Sequence, residues 1–181
     1  DVVSLRIPRA GPLSTGENWT FGENELLVHG QRYHCIVEVT NYAGLRVNRS
    51  SDGAVVDITP PSMLFVNDGL QVGFDISEQT MLDALFGNWR ASDNESAVIE
   101  YEYAFGTQHE GASRTNVQTW LSASSAEAFG SFGHFELEAG ETYYVCARAI
   151  NAAGLRSSDM CSDGVFLGDA ETFATPDEET A

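Results

Sequence analysis

Residues 137–156, LEAGETYYVCARAINAAGLR, form the stretch that decides the fold. From 143 to 150 the side chains alternate between two faces, and one face carries Tyr143, Val145, Ala147 and Ala149. The residues between them are Tyr144, Cys146, Arg148 and Ile150. Strict alternation is typical of a β-strand with one buried face. The stretch 151–154, NAAG, is rich in turn-forming residues. The sequence therefore predicts a strand that ends in a tight turn.

The same stretch occurs earlier in the chain. Residues 27–46 read LVHGQRYHCIVEVTNYAGLR and match 137–156 at a constant offset of 110 residues. Ser-Asp-Gly then follows both copies, at 51–53 and at 162–164. An offset of this size is one domain length and is too long for a solenoid repeat. We therefore expect two copies of one module, the first present only from its later part.

The repeat sets the expected domains. Residues 1–60 are expected to hold a partial module, 61–168 a complete one, and 169–181 a flexible acidic tail with five acidic residues and no basic one. Pro60 and Pro61 mark the joint, because paired prolines end strand pairing and stiffen a linker. Sixty residues are too few for a full copy, so we expect a fragment of a longer tandem array.

Further strands are predicted in the second module. Residues 98–105 alternate, and so do 71–76, with Val72, Phe74 and Ile76 on one face. Residues 79–89 are interpreted as a strand that leads to Trp89. Within 98–105 we expect Ile99, Tyr101 and Tyr103 to share one face. Several short strands separated by turn-rich stretches favour an antiparallel sandwich.

Taken in order, these motifs resemble a fibronectin type III module. The run Leu137-x-x-Gly140-x-x-Tyr143 and the strand to 151–154 are similar to its E–F corner, F strand and F–G turn. Trp89 is similar to its B-strand tryptophan. The resemblance implies an all-β, antiparallel immunoglobulin-like sandwich. Within it, the hydroxyl of Tyr143, like that of Tyr33 in the first copy, turns back to the backbone and Trp89 fills the core.

Composition excludes several function classes. The chain has 27 Asp and Glu, 9 Arg, no Lys and a formal net charge of −18, so phosphate backbones and anionic membrane surfaces should repel it. No apolar run approaches the roughly 20 residues of a membrane-spanning helix. A hydrophobic content of 43% is too high for a wholly disordered chain. We expect a soluble folded protein that binds no nucleic acid and inserts into no membrane.

The chain has three cysteines, an odd number, so their pairing must be explained. The repeat places Cys146 and Cys161 on neighbouring strands of one hairpin, so we expect a disulfide that closes a 15-residue loop and stabilises by about 3 kcal/mol. Cys35 aligns with the inward Val145 and is expected to be a buried thiol. The alternative is that Cys35 pairs with a cysteine in the missing part of its module.

Three sequons favour an extracellular setting. Asn18, Asn48 and Asn94 each begin an Asn-x-Ser/Thr motif, and all three are predicted to lie in turns or loops, where glycans can be attached. Together with the expected disulfide they indicate an oxidising compartment.

No catalytic, cofactor-binding or metal-binding residue is predicted. The four histidines form no zinc-like pair and are expected to be solvated; they are His29, His34, His109 and His134. No nucleophile elbow or phosphate-binding loop occurs. A calcium site at Asp93, Asn94 and Glu95, with Asp57 at the joint, is the alternative to an ordinary capped turn.

The function expected is a non-catalytic binding, adhesion or spacer role in an extracellular tandem-repeat protein. Its partners would be proteins or glycans of unknown identity, together with neighbouring modules of the same chain. The alternative is an accessory sandwich of a secreted carbohydrate-active enzyme. It requires Trp19, Trp120 and Tyr144 to form one flat platform for sugars.

Overall fold

A computed structural model describes residues 27–132 and 135–168. Contacts divide the chain into unit 1, Asp1–Ile58, and unit 2, Thr59–Ala181. Within the described ranges the regular structure is all β, apart from one 3-10 turn at Ala112–Thr115. The same ranges contain no helix long and apolar enough to cross a bilayer. The strands are β1 Arg32–Tyr33, β2 Ile36–Thr40, β3 Arg46–Ser50, β4 Ala54–Val55, β5 Ser62–Asp68, β6 Glu78–Gln79, β7 Ala84–Ser92, β8 Val98–Gly106, β9 Gln118–Ser124, β10 Ala128–Phe132, β11 Thr142–Asn151, β12 Met160–Cys161 and β13 Val165–Leu167.

Unit 2 is a β-sandwich of two sheets. One sheet has the order β10-β7-β5, and the other runs β9-β8-β11-β13 with β12 also on β11 and β6 added in parallel to β13. All other pairings are antiparallel. The chain passes from β5 to β6 in the second sheet, returns for β7, crosses to β8 and β9, returns for β10, and crosses again to β11. This is the strand arrangement of a fibronectin type III-like sandwich, so the predicted fold class is confirmed.

The core of unit 2 lies between these sheets. The strand predicted at 79–89 is right only for its later part, which belongs to β7, since residues 80–83 are not in a strand. Trp89 on β7 is fully buried, and its ring stacks on Tyr103 with centroids 5.3 Å apart. The indole Nε1 donates to the carbonyl of Ala126 at 2.9 Å, which satisfies its one polar atom. The predicted inward residues of β11 are all buried: Tyr143, Val145, Ala147 and Ala149. Ile99, expected on the same face as Tyr103, is instead 51% exposed near the start of β8.

The strand predicted at 71–76 is wrong. This stretch is a turn in which Gly73 has φ +82° and the Phe74 amide donates to the carbonyl of Gln71 at 2.9 Å. The buried amide of Asn88 holds it, accepting from Gly73 N at 2.9 Å and donating to Phe74 O at 2.9 Å. Phe74 is therefore 62% exposed. Asn88, 14 residues after Phe74, supplies hydrogen bonds that the backbone of a strand would otherwise find in a sheet.

Unit 1 contains two small antiparallel ladders in its described part. Strand β1 pairs with β4, and β2 pairs with β3 in a hairpin whose register runs from Ile36↔Ser50 to Thr40↔Arg46. Cys35, expected to be buried, is exposed. The equivalent Val145 is covered by the facing sheet of unit 2, so closely that a Cβ on Gly87 would lie 2.6 Å from its Cγ2. The described part of unit 1 holds no such facing sheet.

Candidate functional site

The repeated tyrosines form the same corner in both units. The Tyr143 hydroxyl accepts from Glu138 N at 3.0 Å, and the Tyr33 hydroxyl accepts from Val28 N at 3.0 Å. Each bond ties the start of a strand to the segment five residues before it. The predicted role of these two tyrosines is confirmed, and it is structural rather than chemical.

The repeated Asn-x-Ala-Gly-Leu motif forms a side-chain-capped turn. The Asn151 Oδ1 accepts from the amides of Ala153 at 3.1 Å and Leu155 at 2.8 Å. The Asn41 Oδ1 makes the corresponding two bonds at 3.0 and 2.9 Å. Asn side chains stabilise turns by this kind of local bond. The turn therefore explains the recurring Asn, and the positive φ of Gly44 (+78°) and Gly154 (+79°) explains the recurring Gly.

The repeated Ser-Asp-Gly joins the last strands to the corner strand. Ser162 Oγ accepts from Val145 N at 3.0 Å, and Ser51 Oγ accepts from Cys35 N at 2.9 Å. Gly164 has φ +101°, and a Cβ there would lie 2.6 Å from the Tyr144 ring. Both the backbone conformation and the neighbouring ring therefore require glycine.

A carboxylate cluster with one buried member, Asp68, and two exposed members, Asp75 and Asp163, lies in unit 2, where β5 meets this Ser-Asp-Gly segment. Asp68 is 1% exposed; its Oδ1 accepts from Ser162 Oγ at 3.0 Å and its Oδ2 from Gly164 N at 3.1 Å. Asp75 Oδ1 accepts from Asp68 N at 2.7 Å. One oxygen from each of Asp68, Asp75 and Asp163 lies within 4.8 Å of the others. Such a set of oxygens can share a proton or coordinate a cation.

The pKa of Asp68 is raised from its ordinary 3.8 to about 7. Burial is the main cause, and the negative charges of Asp75 and Asp163 add to it. The hydrogen bonds from Ser162 and Gly164 lower the pKa but do not offset the burial. Burial and Asp163 also raise the pKa of Asp75, against the lowering effect of its bond from the Asp68 amide. The raised pKa of Asp68 favours its protonated form in mildly acidic solution.

Sequence reasoning missed this cluster because its members are far apart in the chain. Asp68 and Ser162 are 94 residues apart, and no local motif contains both. The only signal was the repeated Ser-Asp-Gly, which marked one side of the cluster without indicating its partner.

On the outward face of β8, β9 and β11, an arginine lies over a tryptophan ring and is paired with a glutamate. The Arg148 guanidinium lies 4.0 Å from the centroid of the Trp120 ring, and Arg148 Nε donates to Glu102 Oε2 at 2.7 Å. Arg156 Nε lies 3.1 Å from the same oxygen. The guanidinium covers one face of the half-buried Trp120 by a cation–π contact.

The two described residues of the predicted sugar platform pack on different neighbours. Trp120 packs on Arg148, whereas Tyr144 packs on His109 with ring centroids 5.3 Å apart. Trp19 lies outside the described residues. The structure thus shows each of the two described rings against its own neighbour, which leaves less free ring surface for a sugar.

The predicted disulfide is present. Cys146 and Cys161 are directly paired residues of β11 and β12, and they are bonded to each other. Cys146, expected on the outward face of β11, is fully buried, so the bridge is shielded on the β11 side.

The predicted glycosylation sites differ in setting. Asn94 is exposed in the bend between β7 and β8. Asn48 is exposed but lies in β3, not in the turn that was predicted, because it pairs with Glu38 across the hairpin. Asn18 lies outside the described residues.

Three of the predicted histidines lie in described parts of the chain. His34 Nδ1 lies 3.2 Å from the Ser51 carbonyl, and His29 Nδ1 lies 3.4 Å from the amide of Ile58. His109 is exposed beside Tyr144, and His134 is outside the described residues.

The loop considered for calcium forms a capped turn. Asp93 Oδ1 accepts from the amides of Glu95 at 3.0 Å and Ser96 at 2.8 Å, and its Oδ2 accepts from Asn151 Nδ2 at 3.0 Å. Glu95 Oε2 accepts from Thr59 Oγ1 at 3.1 Å. Asp57 belongs to unit 1. The described bonds of Asp93 are those of an Asx cap joined to the turn at Asn151.

No family model matches the sequence, and no curated protein matches it. Solved structures give weak likenesses. The twitchin kinase region from C. elegans is similar at 20% identity and TM-score 0.38, over 62% of this chain and 17% of that one. Titin module A71 from human cardiac muscle is similar at 20% identity and TM-score 0.35, over 61% and 92%. A beta-1,2-glucanase from Parabacteroides distasonis is similar at 15% identity and TM-score 0.30, over 71% and 16%.

Proposed function

We propose that the chain is a non-catalytic spacer and binding part of an extracellular protein built from tandem modules. The observation that carries the proposal is the Cys146–Cys161 disulfide between paired strands. Structural disulfides form and persist in oxidising compartments, and they are rare in the cytosol. The exposed sequon at Asn94 supports the same setting.

The use of polar groups in unit 2 supports a structural role. The side chains of Asn88, Asn151, Asp93 and Ser162 hold turns and strand ends together. A chain of such units, joined through Pro60 and Pro61, would act as a spacer whose length is fixed by the number of modules.

A protein partner is favoured over a glycan at the outward face of β8, β9 and β11. Trp and Arg are the residues enriched at the centres of protein interfaces, and here Arg148 and Trp120 are already held against each other. The carbohydrate alternative has less support, because Trp120 and Tyr144 each pack on a different neighbour.

Peptide mapping of the protein isolated from its natural source tests the extracellular proposal. We expect a cross-linked Cys146–Cys161 peptide under non-reducing conditions and a glycan on Asn94. The matched control is Cys35, whose peptide should carry no bond to either of these cysteines. Free thiols on both Cys146 and Cys161 in freshly isolated protein would overturn the proposal.

A further inference from the structure

The hairpin of unit 1 exposes an apolar face. Val37, Val39 and Val47 are 51%, 43% and 51% exposed, and Cys35 at the start of the same face is exposed too. Val39 and Val47 are directly paired, so their side chains lie on the same side of the hairpin. We call these four residues the valine face. A contiguous exposed apolar surface of this kind marks a contact site.

The backbone beneath the valine face already has the conformation of a finished sandwich. The register that pairs Ile36 with Ser50 is the register that pairs Cys146 with Cys161 in unit 2. The Tyr33 corner and the Asn41 turn are formed with the same bonds as their counterparts, as described above. The backbone of the valine face is therefore preformed, and the face differs from the equivalent surface of unit 2 in its side chains and in what covers it.

In unit 2 the surface equivalent to the valine face is covered by a second sheet, and the residues of that sheet show what kind of segment fits it. Val145, Ala147 and Ala149, the counterparts of Cys35, Val37 and Val39, are all 0% exposed. They are covered by the sheet that contains β5 and β7, with Trp89 and Leu85 in the same core.

The same cover also brings a carboxylate. Asp68, at the end of β5, accepts from Ser162 Oγ and Gly164 N. Unit 1 has Ser51 and Gly53 at the equivalent positions, and Ser51 already makes the equivalent bond to the strand amide of Cys35. The donor pair that holds the β5 carboxylate of unit 2 is thus repeated in unit 1.

We propose that the valine face docks a segment of the same polypeptide that is N-terminal to unit 1 and equivalent to residues 62–92 of unit 2. This segment would supply two antiparallel strands, a large aromatic side chain for the centre of the core, and a carboxylate for Ser51 and Gly53. The inference rests on the tandem-module part of the proposed function. It is independent of the extracellular setting, so free thiols on Cys146 and Cys161 would leave it untouched.

A chimera tests whether the valine face accepts this cover. Residues 61–136 are placed directly before Leu27, in place of 1–26, and the rest of the chain is kept. Hydrogen exchange of the amides at 36–40 and 46–50 is compared between the chimera and the 181-residue chain. We expect exchange to be slowed at least about 100-fold in the chimera, because core strands open far more rarely than uncovered ones.

Two companion variants distinguish a valine face that accepts no cover from a chimera whose side chains pack poorly. The first adds Cys35→Val, Val37→Ala and Val39→Ala, which give the hairpin the inward residues of β11. The second carries Trp89→Ala in the added copy alone and should lose most of the protection. Unchanged exchange in both the chimera and its Val/Ala/Ala form would overturn the proposal.

The natural polypeptide, taken from its source, decides where the cover comes from. The same amides should be protected in it at every protein concentration. Exchange as fast as in the 181-residue chain would overturn the proposal. So would protection of the 181-residue chain that rises with its concentration, since a second copy would then be the occupant.

Discussion

The hairpin of unit 1 and its counterpart in unit 2 have the same turns, but the first is exposed and the second is buried. Tyr33 and Tyr143 make the same corner bond, whereas Val37 is 51% exposed and its counterpart Ala147 is 0% exposed. Turn geometry follows from residues within a few positions of each other, but burial requires strands from elsewhere in the chain. A local stretch of sequence is therefore enough to form the turns, whereas only a complete sandwich buries the strand.

Truncating the tryptophan of the facing sheet should give the largest effect. Trp89→Ala removes a fully buried ring from unit 2 and should lower its free energy of unfolding by about 3–5 kcal/mol. Urea unfolding followed by circular dichroism measures this change. Exchange at the amides of 36–40 in unit 1 should not change, since Trp89 belongs to unit 2. A common loss of protection in both units would show that they fold as one and would break the comparison.

The buried carboxylate should make unit 2 less stable as the pH rises. The pKa of Asp68 is about 7 in the folded unit against 3.8 ordinarily, so between these values the folded state binds a proton that the unfolded state has released. The proton on Asp68 therefore contributes to the free energy of unfolding of unit 2. This contribution, up to about 4 kcal/mol, is fully present below about pH 4 and is lost as the pH rises through 7.

The Asp68→Asn variant isolates this effect from other titrations. The amide can donate to Ser162 Oγ and accept from Gly164 N, as the protonated acid would. The variant should therefore match the natural chain near pH 4 and exceed its stability at pH 8. Urea midpoints at the two pH values measure the difference. A variant less stable than the natural chain at pH 8 would show that the ionised form is the one the fold favours.

The disulfide should have a smaller effect, confined to unit 2. Replacing Cys146 and Cys161 by Ser opens a 15-residue loop and should cost about 3 kcal/mol. Cys35→Ser, at an exposed position of the equivalent strand, is the matched control and should change stability by less than about 0.5 kcal/mol. Equal losses in the two variants would mean that Cys35 is covered.

The sequence predicted what depends on near neighbours and on the repeat. Alternation from 143 to 151 predicted β11 with its correct buried face, and the repeat placed Cys146 beside Cys161. Alternation failed at 71–76, because the Asn88 side chain from β7 stabilises a turn there.

The long-range features of the site could not be predicted in the same way. The Asp68 cluster joins the end of β5 to a segment about 94 residues later, and no periodicity encodes that contact. Cys35 was expected to be buried from its alignment with Val145. Burial, however, depends on a facing sheet, which the described part of unit 1 does not contain.

The corner tyrosines provide the finest test of the comparison, because their bonds are equal and their surroundings are not. Tyr143→Phe removes the bond to the Glu138 amide and should cost unit 2 about 1 kcal/mol of stability. Tyr33→Phe removes the same 3.0 Å bond to Val28, but water can replace it at this exposed position, so the cost should be smaller. Exchange of the Glu138 and Val28 amides measures the two losses directly. If the loss at Val28 equals that at Glu138, the corner is stabilised by its own bond alone, and the core adds nothing to it.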